Sequence, residues 1–190
     1  VVTGDGFDGA KNILRKLCGG KKMLENALKS GNLAEAYTVD ENETEAKIVK
    51  TADSHVMTII TPEEFSGWQI TVGCDGHESA PFNMNVPEIK WVQNDAAVVG
   101  DELRVFGQCF ATPDCYGDID VSGDEVHGFG RMLSDGHGVS VFLCDCNGGV
   151  HELPVTAASC YEVRANVPAC VPCGKGKIYI VNEKSGVPAS

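Results

Sequence analysis

Apolar and polar residues alternate most regularly between residues 161 and 167. Tyr161, Val163, Ala165 and Val167 are separated by Glu162, Arg164 and Asn166. Such alternation predicts a β-strand with one face in a core and the other in water. Pro168 follows and has no backbone N–H to donate, so the strand is expected to end there. A β-branched run at 56–60, ahead of Pro62, predicts a comparable strand in the first half.

Four landmarks recur in the same order in the two halves of the chain. They are a glycine with a phenylalanine three positions later, a strand with a Thr-Ala pair, a strand ending in proline, and a glycine before a last strand. The landmarks occupy residues 4–7, 48–54, 56–62 and 67–72 in the first half, and 107–110, 153–159, 161–168 and 176–181 in the second. A repeat of this kind indicates one structural unit built twice. Short strands at this spacing are typical of a β-sandwich.

The repeat divides the chain into two modules, residues 1–86 and residues 87–190. The second module opens with a predicted strand at 88–92, which is followed by a turn at Gly100-Asp101 and a second, alternating strand. The first module has no counterpart of this opening. We therefore expect it to lack about 15–20 residues, its first strand among them.

Three segments depart from the strand pattern. Residues 21–37 carry apolar residues at loosely helical spacing, interrupted by Gly31, and predict one or two short helices; an irregular polar insertion is the alternative. The acidic run 40–45 predicts a solvated loop. Segment 81–87 is bounded by prolines and predicts a short, stiff connector. The predicted fold class is all-β, as two tandem β-sandwiches with a short helical insertion in the first.

The balance of charge argues against one class of partner. The formal net charge is −12, whereas nucleic acids are bound by basic faces, so no nucleic acid is expected as a partner. No apolar run approaches the ~18 residues of a membrane span, so no membrane span is expected either. The nine cysteines are an odd number and cannot all pair within one chain. Whether they are bridged, free or metal-bound stays open.

The second module carries a family resemblance. Its elements are Pro87-Glu-Ile, Gly100-Asp-Glu-Leu, Gly107-x-x-Phe110, and the late Val167-Pro168, Gly176 and Val181. Together they resemble the IPT/TIG immunoglobulin-like pattern, over most of residues 87–190 and more loosely over 1–86. The resemblance implies that both sandwiches are immunoglobulin-like.

The phrase Gly-Asp-Glu-Leu-Arg-Val-Phe-Gly at 100–107 also resembles a narrower group. These modules are found ahead of right-handed β-helix, pectate-lyase-like domains in large bacterial secreted or surface proteins. The resemblance implies an extracellular or cell-surface spacer or accessory unit, with the downstream domains of the same polypeptide as partners. A catalytic β-helix would then follow Ser190, in a parent that is a glycoside hydrolase or a polysaccharide lyase. A shared fold does not itself assign a function.

The same resemblance bears on the cysteines. Immunoglobulin-like folds commonly carry a disulfide between their two sheets, and Cys109 and Cys160 are the candidates because both fall in predicted strands. Two closer pairs have the spacing of zinc half-sites: Cys144 with Cys146, and Cys170 with Cys173. A four-cysteine zinc site is one interpretation of these pairs, and buried or free thiols are the other.

Oxygen-bearing side chains crowd one segment of the second module. Asp118, Asp120 and Ser122, followed by Gly123, have the spacing of the first three ligands of a calcium loop. The glutamate that such a loop carries at its twelfth position is replaced here by Phe129. A solvated acidic loop without a cofactor is therefore the expectation, and calcium binding is the alternative.

Aromatic residues are the candidates for binding a carbohydrate, because the C–H face of a sugar stacks on an aromatic ring. Tyr116 and Phe129, in the insertion at 111–138, are the predicted ligand-binding residues. Trp91 and Tyr161 are instead expected to fill the core between the sheets.

The sequence carries no recognisable catalytic pattern. The five histidines are scattered, and neither a Ser–His–Asp order nor an H-E-x-x-H motif occurs. We therefore predict no enzyme and no catalytic residues, but a non-catalytic structural or accessory module of a larger secreted or surface carbohydrate-processing protein. Two alternatives stay open: a carbohydrate-binding module with its site at 111–138, and a cysteine-dependent metal-binding protein.

Overall fold

The computed structural model describes residues 2–3, 10–53, 56–59, 67–74, 76–93, 96–111, 138–183 and 185–190. These residues form antiparallel sheets and one α-helix, α1, which spans Lys21–Ser30. The prediction of a mostly β chain with a short helix in its first half is confirmed. No helix in the described ranges is long and apolar enough to cross a membrane.

The first half contributes two sheets. Its strands are β1 (Val2–Thr3), β2 (Lys11–Gly19), β3 (Tyr37–Glu45), β4 (Ile48–Asp53), β5 (Val56–Ile59), β6 (Trp68–Cys74), β7 (His77–Glu78) and β8 (Phe82–Met84). The first sheet has the order β1-β5-β4. The second has the order β3-β2-β6, and both β7 and β8 pair with the far side of β6.

The second half also contributes two sheets. Its strands are β9 (Glu88–Gln93), β10 (Glu102–Gln108), β11 (Val139–Asp145), β12 (Val150–Leu153), β13 (Val155–Ala158), β14 (Glu162–Asn166), β15 (Gly176–Asn182) and β16 (Pro188–Ala189). One sheet has the order β13-β14-β10-β9, and the other has the order β12-β11-β15-β16. All the pairings within both sheets are antiparallel.

The pairing order of the strands recurs in the two halves. The order β4-β5-β1 corresponds to β13-β14-β10, and β3-β2-β6-β8 corresponds to β12-β11-β15-β16. The last three sequence landmarks fall on corresponding strands, namely β4 and β13, β5 and β14, and β6 and β15. No described residue forms a strand beside β1 in the place that β9 takes beside β10. The repeat seen in the sequence is therefore also a repeat of strand pairing.

Both sheets of the second half contribute to one buried cluster. Val105 of β10 and Val163 of β14 enter it from one sheet, and Val141 of β11 and Ile180 of β15 enter it from the other. Phe110, which follows β10, is fully buried in the same cluster. Because each such side chain contributes about 1.5–3 kcal/mol when it is removed from water, this cluster is the main stabilising core of the second half.

Helix α1 connects β2 to β3 but packs against the second half. Its Leu24 and Ala27 form a buried cluster with Phe142 of β11 and Val181 of β15. These two strand residues alternate with those of the main core, so they lie on the opposite face of their sheet. A helix from the first half therefore covers a sheet face of the second half that would otherwise be exposed to water.

The first residue of α1 adds polar links between the halves. The backbone N–H of Lys21 donates to the carboxylate of Glu183 at 3.1 Å. The Nζ atom of the same lysine forms an ion pair with Glu152 at 2.6 Å. Because these groups are exposed, the links orient the start of the helix more than they stabilise the fold.

The turn between β15 and β16 meets the first half through backbone atoms. A Cβ on Gly19 would overlap the carbonyl oxygen of Gly186, and a Cβ on Gly67 would overlap that of Ser185. Gly186 itself has a φ of 67°, and a Cβ there would collide with the backbone of Gly19. Glycine is therefore required at these positions by the close approach of the two halves.

One segment that was predicted as a loop belongs to a strand, and the predicted connector contains a strand. The acidic run 40–45 belongs to β3, which pairs with β2 at the edge of its sheet and whose side chains are largely exposed. Arg15 of β2 forms an ion pair with Glu43. An edge strand needs no apolar side chains for backbone pairing, and its charges oppose pairing with other chains. The connector predicted at 81–87 contains β8, which pairs with β6.

The prediction that Trp91 and Tyr161 fill the core is wrong. Trp91 is 54% exposed and Tyr161 is 52% exposed. Trp91 lies opposite Phe106, on the face of the sheet that points away from Val105 and the core. Tyr161 lies just before β14, where the alternation of the strand has not yet begun. The predicted alternation is confirmed from Val163 onward, since Val163, Ala165 and Val167 are buried.

Candidate functional site

A cleft of about 890 Å³ lies at one end of the second half. One wall is formed by the segment before β10, where Val98 and Val99 are strongly exposed. The other wall is formed by the segment before β15 and includes Val171 and Lys175. The cleft is thus mainly apolar, and Asp145 is the carboxylate that lines it.

Asp145 is engaged by its own hairpin. One carboxylate oxygen accepts the N–H groups of Asn147 at 2.8 Å and Gly149 at 2.9 Å, and the other lies 2.7 Å from Nε2 of His151. The hydrogen bond with His151, together with those from the backbone, lowers the pKa of Asp145 below its usual range. A carboxylate with a lowered pKa and two engaged oxygens is a poor proton acceptor. Asp145 therefore stabilises its turn, and no histidine or second carboxylate is among the described residues that line the cleft.

A second candidate surface lies on the outer side of β9, β10 and β14. The ring of Trp91 stacks on that of Phe106, with centroids 4.0 Å apart and planes 10° apart. The guanidinium of Arg104 lies 5.3 Å from the centroid of the Phe106 ring. Glu162 accepts hydrogen bonds from Arg104 at 2.6 Å and from Arg164 at 2.8 Å. We call these five residues the Trp91 face.

Glu162 holds the two arginine side chains of the Trp91 face in place. Burial acts to raise the pKa of its carboxyl, but the hydrogen bonds and charges of Arg104 and Arg164 outweigh burial and lower that pKa. Glu162 is therefore ionised at neutral pH. Each guanidinium group keeps N–H donors that Glu162 does not use. Glu102, two positions before Arg104 on the same side of β10, adds a second carboxylate that acts on Arg104.

This arrangement can engage a ligand in two ways. An exposed, stacked ring offers a flat apolar area on which the C–H face of a sugar could stack. The neighbouring guanidinium groups can donate hydrogen bonds to hydroxyl groups or bind a carboxylate with two parallel hydrogen bonds.

Sequence reasoning missed the Trp91 face, although a signal for it was present. Leu103 and Val105 of β10 are buried in the core. Because side chains alternate along a strand, Arg104 and Phe106 must point to the opposite face. Trp91 pairs with Phe106 across the two strands, so it shares that face. The alternation within 102–108 thus places an aromatic residue outside the core.

Cys109 and Cys160 are neighbours, but not across two sheets. Cys109 follows β10 and Cys160 precedes β14, so both lie just outside the strands and beside the same sheet. β10 ends at Gln108, and the φ of 58° at Cys109 is not a strand conformation, so Cys109 is not in a strand as predicted. The two thiols are in hydrogen-bonding contact. The disulfide between them stays a prediction.

The remaining predicted sites fall into two groups. The cysteine pairs lie in the described residues, and the predicted sugar and calcium sites do not. Cys146, Cys170 and Cys173 are exposed, and Cys144 is partly buried. No group of three or more His, Cys, Asp or Glu side chains in the described ranges is arranged to hold a metal ion. The predicted sugar-binding residues Tyr116 and Phe129, and the calcium ligands Asp118, Asp120 and Ser122, fall in 112–137, outside the described residues.

Comparison of the chain with family models, with curated proteins and with solved structures gave no match.

Proposed function

We propose that this chain is a non-catalytic structural module of a larger secreted or surface carbohydrate-processing protein, built as two tandem immunoglobulin-like β-sandwiches. The observation that carries the proposal is the recurrence of one strand-pairing order in both halves. Tandem copies of one small β unit are suited to spacing other domains apart, since length is added by repetition without a new fold.

The contacts between the halves support the role of a stiff spacer. Helix α1 of the first half buries Leu24 against Phe142 of the second, and Gly19 meets Gly186 backbone to backbone. A hinge between two modules needs an exposed linker that few contacts cross. The junction here is crossed by a buried apolar cluster, hydrogen bonds and closely packed backbone. The two halves are therefore expected to move as one body.

A second function, carbohydrate binding, is favoured by the Trp91 face. An aromatic ring that is 54% exposed, yet held against Phe106, loses little conformational freedom when a ligand stacks on it. Arg104 and Arg164 add donors for an acidic sugar. The insertion at 111–138, with Tyr116 and Phe129, stays the other candidate location for such a site.

A glycan array that includes acidic polysaccharide fragments separates the two functions. The intact chain is compared with Trp91→Ala and Tyr116→Ala, and with Phe82→Ala as a control that removes an exposed ring in the first half. A spacer binds no glycan and degrades none. Binding that Trp91→Ala weakens by about tenfold or more, while Phe82→Ala leaves it unchanged, would establish the Trp91 face as the site.

The remaining outcomes of this experiment are also decisive. Loss of binding in Tyr116→Ala alone would place the site in the insertion. Turnover of any glycan by the purified chain would contradict the proposal that it is non-catalytic.

A further inference from the structure

Backbone hydrogen bonds hold Cys109 and Cys160 side by side. The N–H of Phe110 donates to the carbonyl of Cys160 at 3.2 Å, and the N–H of Gly107 donates to the carbonyl of Tyr161 at 3.0 Å. The two bonds lie on either side of Cys109 along its own segment, and Cys160 itself accepts one of them. Both thiols are partly buried and are in contact with each other.

The backbone of Cys109 is in an unusual conformation. Its φ of 58° lies in the left-handed region, which residues with a Cβ rarely adopt. Hydrogen bonding by the thiol and by the backbone N–H of Cys109 lowers the pKa of the neighbouring Cys160. Strained backbone that is kept beside a reactive group is typical of functional sites.

The two thiols differ in acidity. The hydrogen bond from the Cys109 thiol outweighs burial and lowers the pKa of Cys160 to about 6. The same hydrogen bond, burial and the charges of Cys160 and Glu88 raise the pKa of Cys109. Glu88 is itself held by Gln108 and Lys90. At neutral pH, Cys160 is therefore a thiolate and Cys109 is the protonated donor beside it.

We propose that Cys109 and Cys160 form a thiol–disulfide exchange site, which a low-molecular-weight disulfide such as oxidised glutathione converts into an intramolecular disulfide. The Cys160 thiolate attacks one sulfur of the small disulfide, and the bond between the two small-molecule sulfurs breaks to release one thiolate, which takes up a proton. Cys109 loses its proton and attacks the Cys160 sulfur of the mixed disulfide, which releases the second small thiol. The two protein thiols are oxidised by two electrons, and the small disulfide is reduced to two thiols.

The disulfide between Cys109 and Cys160 would stabilise the second half without changing its topology. The two cysteines follow and precede neighbouring strands, β10 and β14, so the bond joins segments that are already adjacent. It would close a loop of about 50 residues, and the loss of entropy in the unfolded chain predicts a rise in melting temperature of about 10 °C. This inference is independent of whether the chain binds a sugar.

Peptide mapping tests the proposal directly. The reduced chain is equilibrated with oxidised glutathione, blocked, digested without reductant and mapped by mass spectrometry. The expected product joins the Cys109 and Cys160 peptides, while exposed Cys18 carries glutathione or stays free. The melting temperature of this product is expected to rise by about 10 °C, and that of Cys160→Ser treated in the same way is not. A map in which Cys18 reacts, but Cys109 and Cys160 are not joined, would overturn the proposal.

Alkylation by iodoacetamide as a function of pH provides a second readout. In the wild-type chain the labelling of Cys160 should have its midpoint near pH 6. Cys109→Ala keeps the backbone donor but removes the thiol donor, so the midpoint should rise by about one pH unit or more. Labelling of Cys160 with an ordinary midpoint near pH 8.5 in the wild-type chain would contradict the proposed mechanism.

Discussion

Replacing Leu24 with alanine is expected to lower the free energy of unfolding by about 3 kcal/mol. Leu24 is fully buried in α1, where it packs against Phe142, Tyr179 and Val181 of the second half. The shortened side chain would leave a cavity between the helix and the sheet, because neither element can move into the space without losing its other contacts. The change in stability is measured as the shift in the urea midpoint at constant m-value.

Leu33→Ala is the matched control for this variant. Leu33 follows α1 and is 41% exposed. The same chemical change there should lower the stability by less than about 1 kcal/mol, because little buried contact is lost. Equal effects of the two substitutions would show that α1 does not cover the sheet of the second half.

Replacing Gly186 with alanine is expected to lower the stability by about 3–4 kcal/mol. The φ of Gly186 is 67°, so a Cβ strains the backbone by about 1–2 kcal/mol. The same Cβ would collide with backbone atoms of Gly19, which cannot rotate away as a side chain can. The turn between β15 and β16 would therefore have to move away from the first half. Urea unfolding measures the loss.

Gly31→Ala separates strain from collision. Gly31 ends α1 with a φ of 74°, and a Cβ there would meet no atom within 4 Å. Its replacement should cost about 1–2 kcal/mol, which is the cost of the left-handed backbone alone. If Gly186→Ala were no more destabilising than Gly31→Ala, the close approach of the halves at Gly19 would be refuted.

The strands were the most predictable part of the fold. The alternation at 161–167, the glycine before β6, the glycine that begins β15 and the proline after β14 are local signals, and the structure places strands accordingly. A short helix within residues 21–37 was also predictable from the spacing of the apolar residues, and α1 is capped by Gly31. These features depend on residues that lie close together in the sequence.

The packing or pairing partner of each helix and strand was not predictable from such local signals. The apolar face of α1 does not specify which sheet it covers, and it covers one whose strands lie more than a hundred residues away. The acidic strand β3 was predicted as a loop because its charges carry no pattern of burial. Its position is determined by backbone pairing with β2, which side-chain composition does not reveal.

The candidate sites were predicted only in part. Cys109 and Cys160 were identified as a pair from an expected bridge between sheets, whereas they are neighbours beside one sheet. Trp91 was assigned to the core because large aromatic residues usually fill it. Its register against Phe106 decides instead that it faces outward, and a register between strands cannot be deduced from either strand alone.

The most direct test of the central claim, that the two halves form one rigid unit, uses the two tryptophans. The chain has two of them, Trp68 in the first half and Trp91 in the second, so that Trp91→Phe and Trp68→Phe each leave a reporter in one half. In both variants, the urea transition followed by tryptophan fluorescence is predicted to coincide with that followed by far-UV circular dichroism. Fluorescence midpoints that separate from the circular dichroism transition, earlier for one half than for the other, would show that the halves unfold independently and would contradict the account.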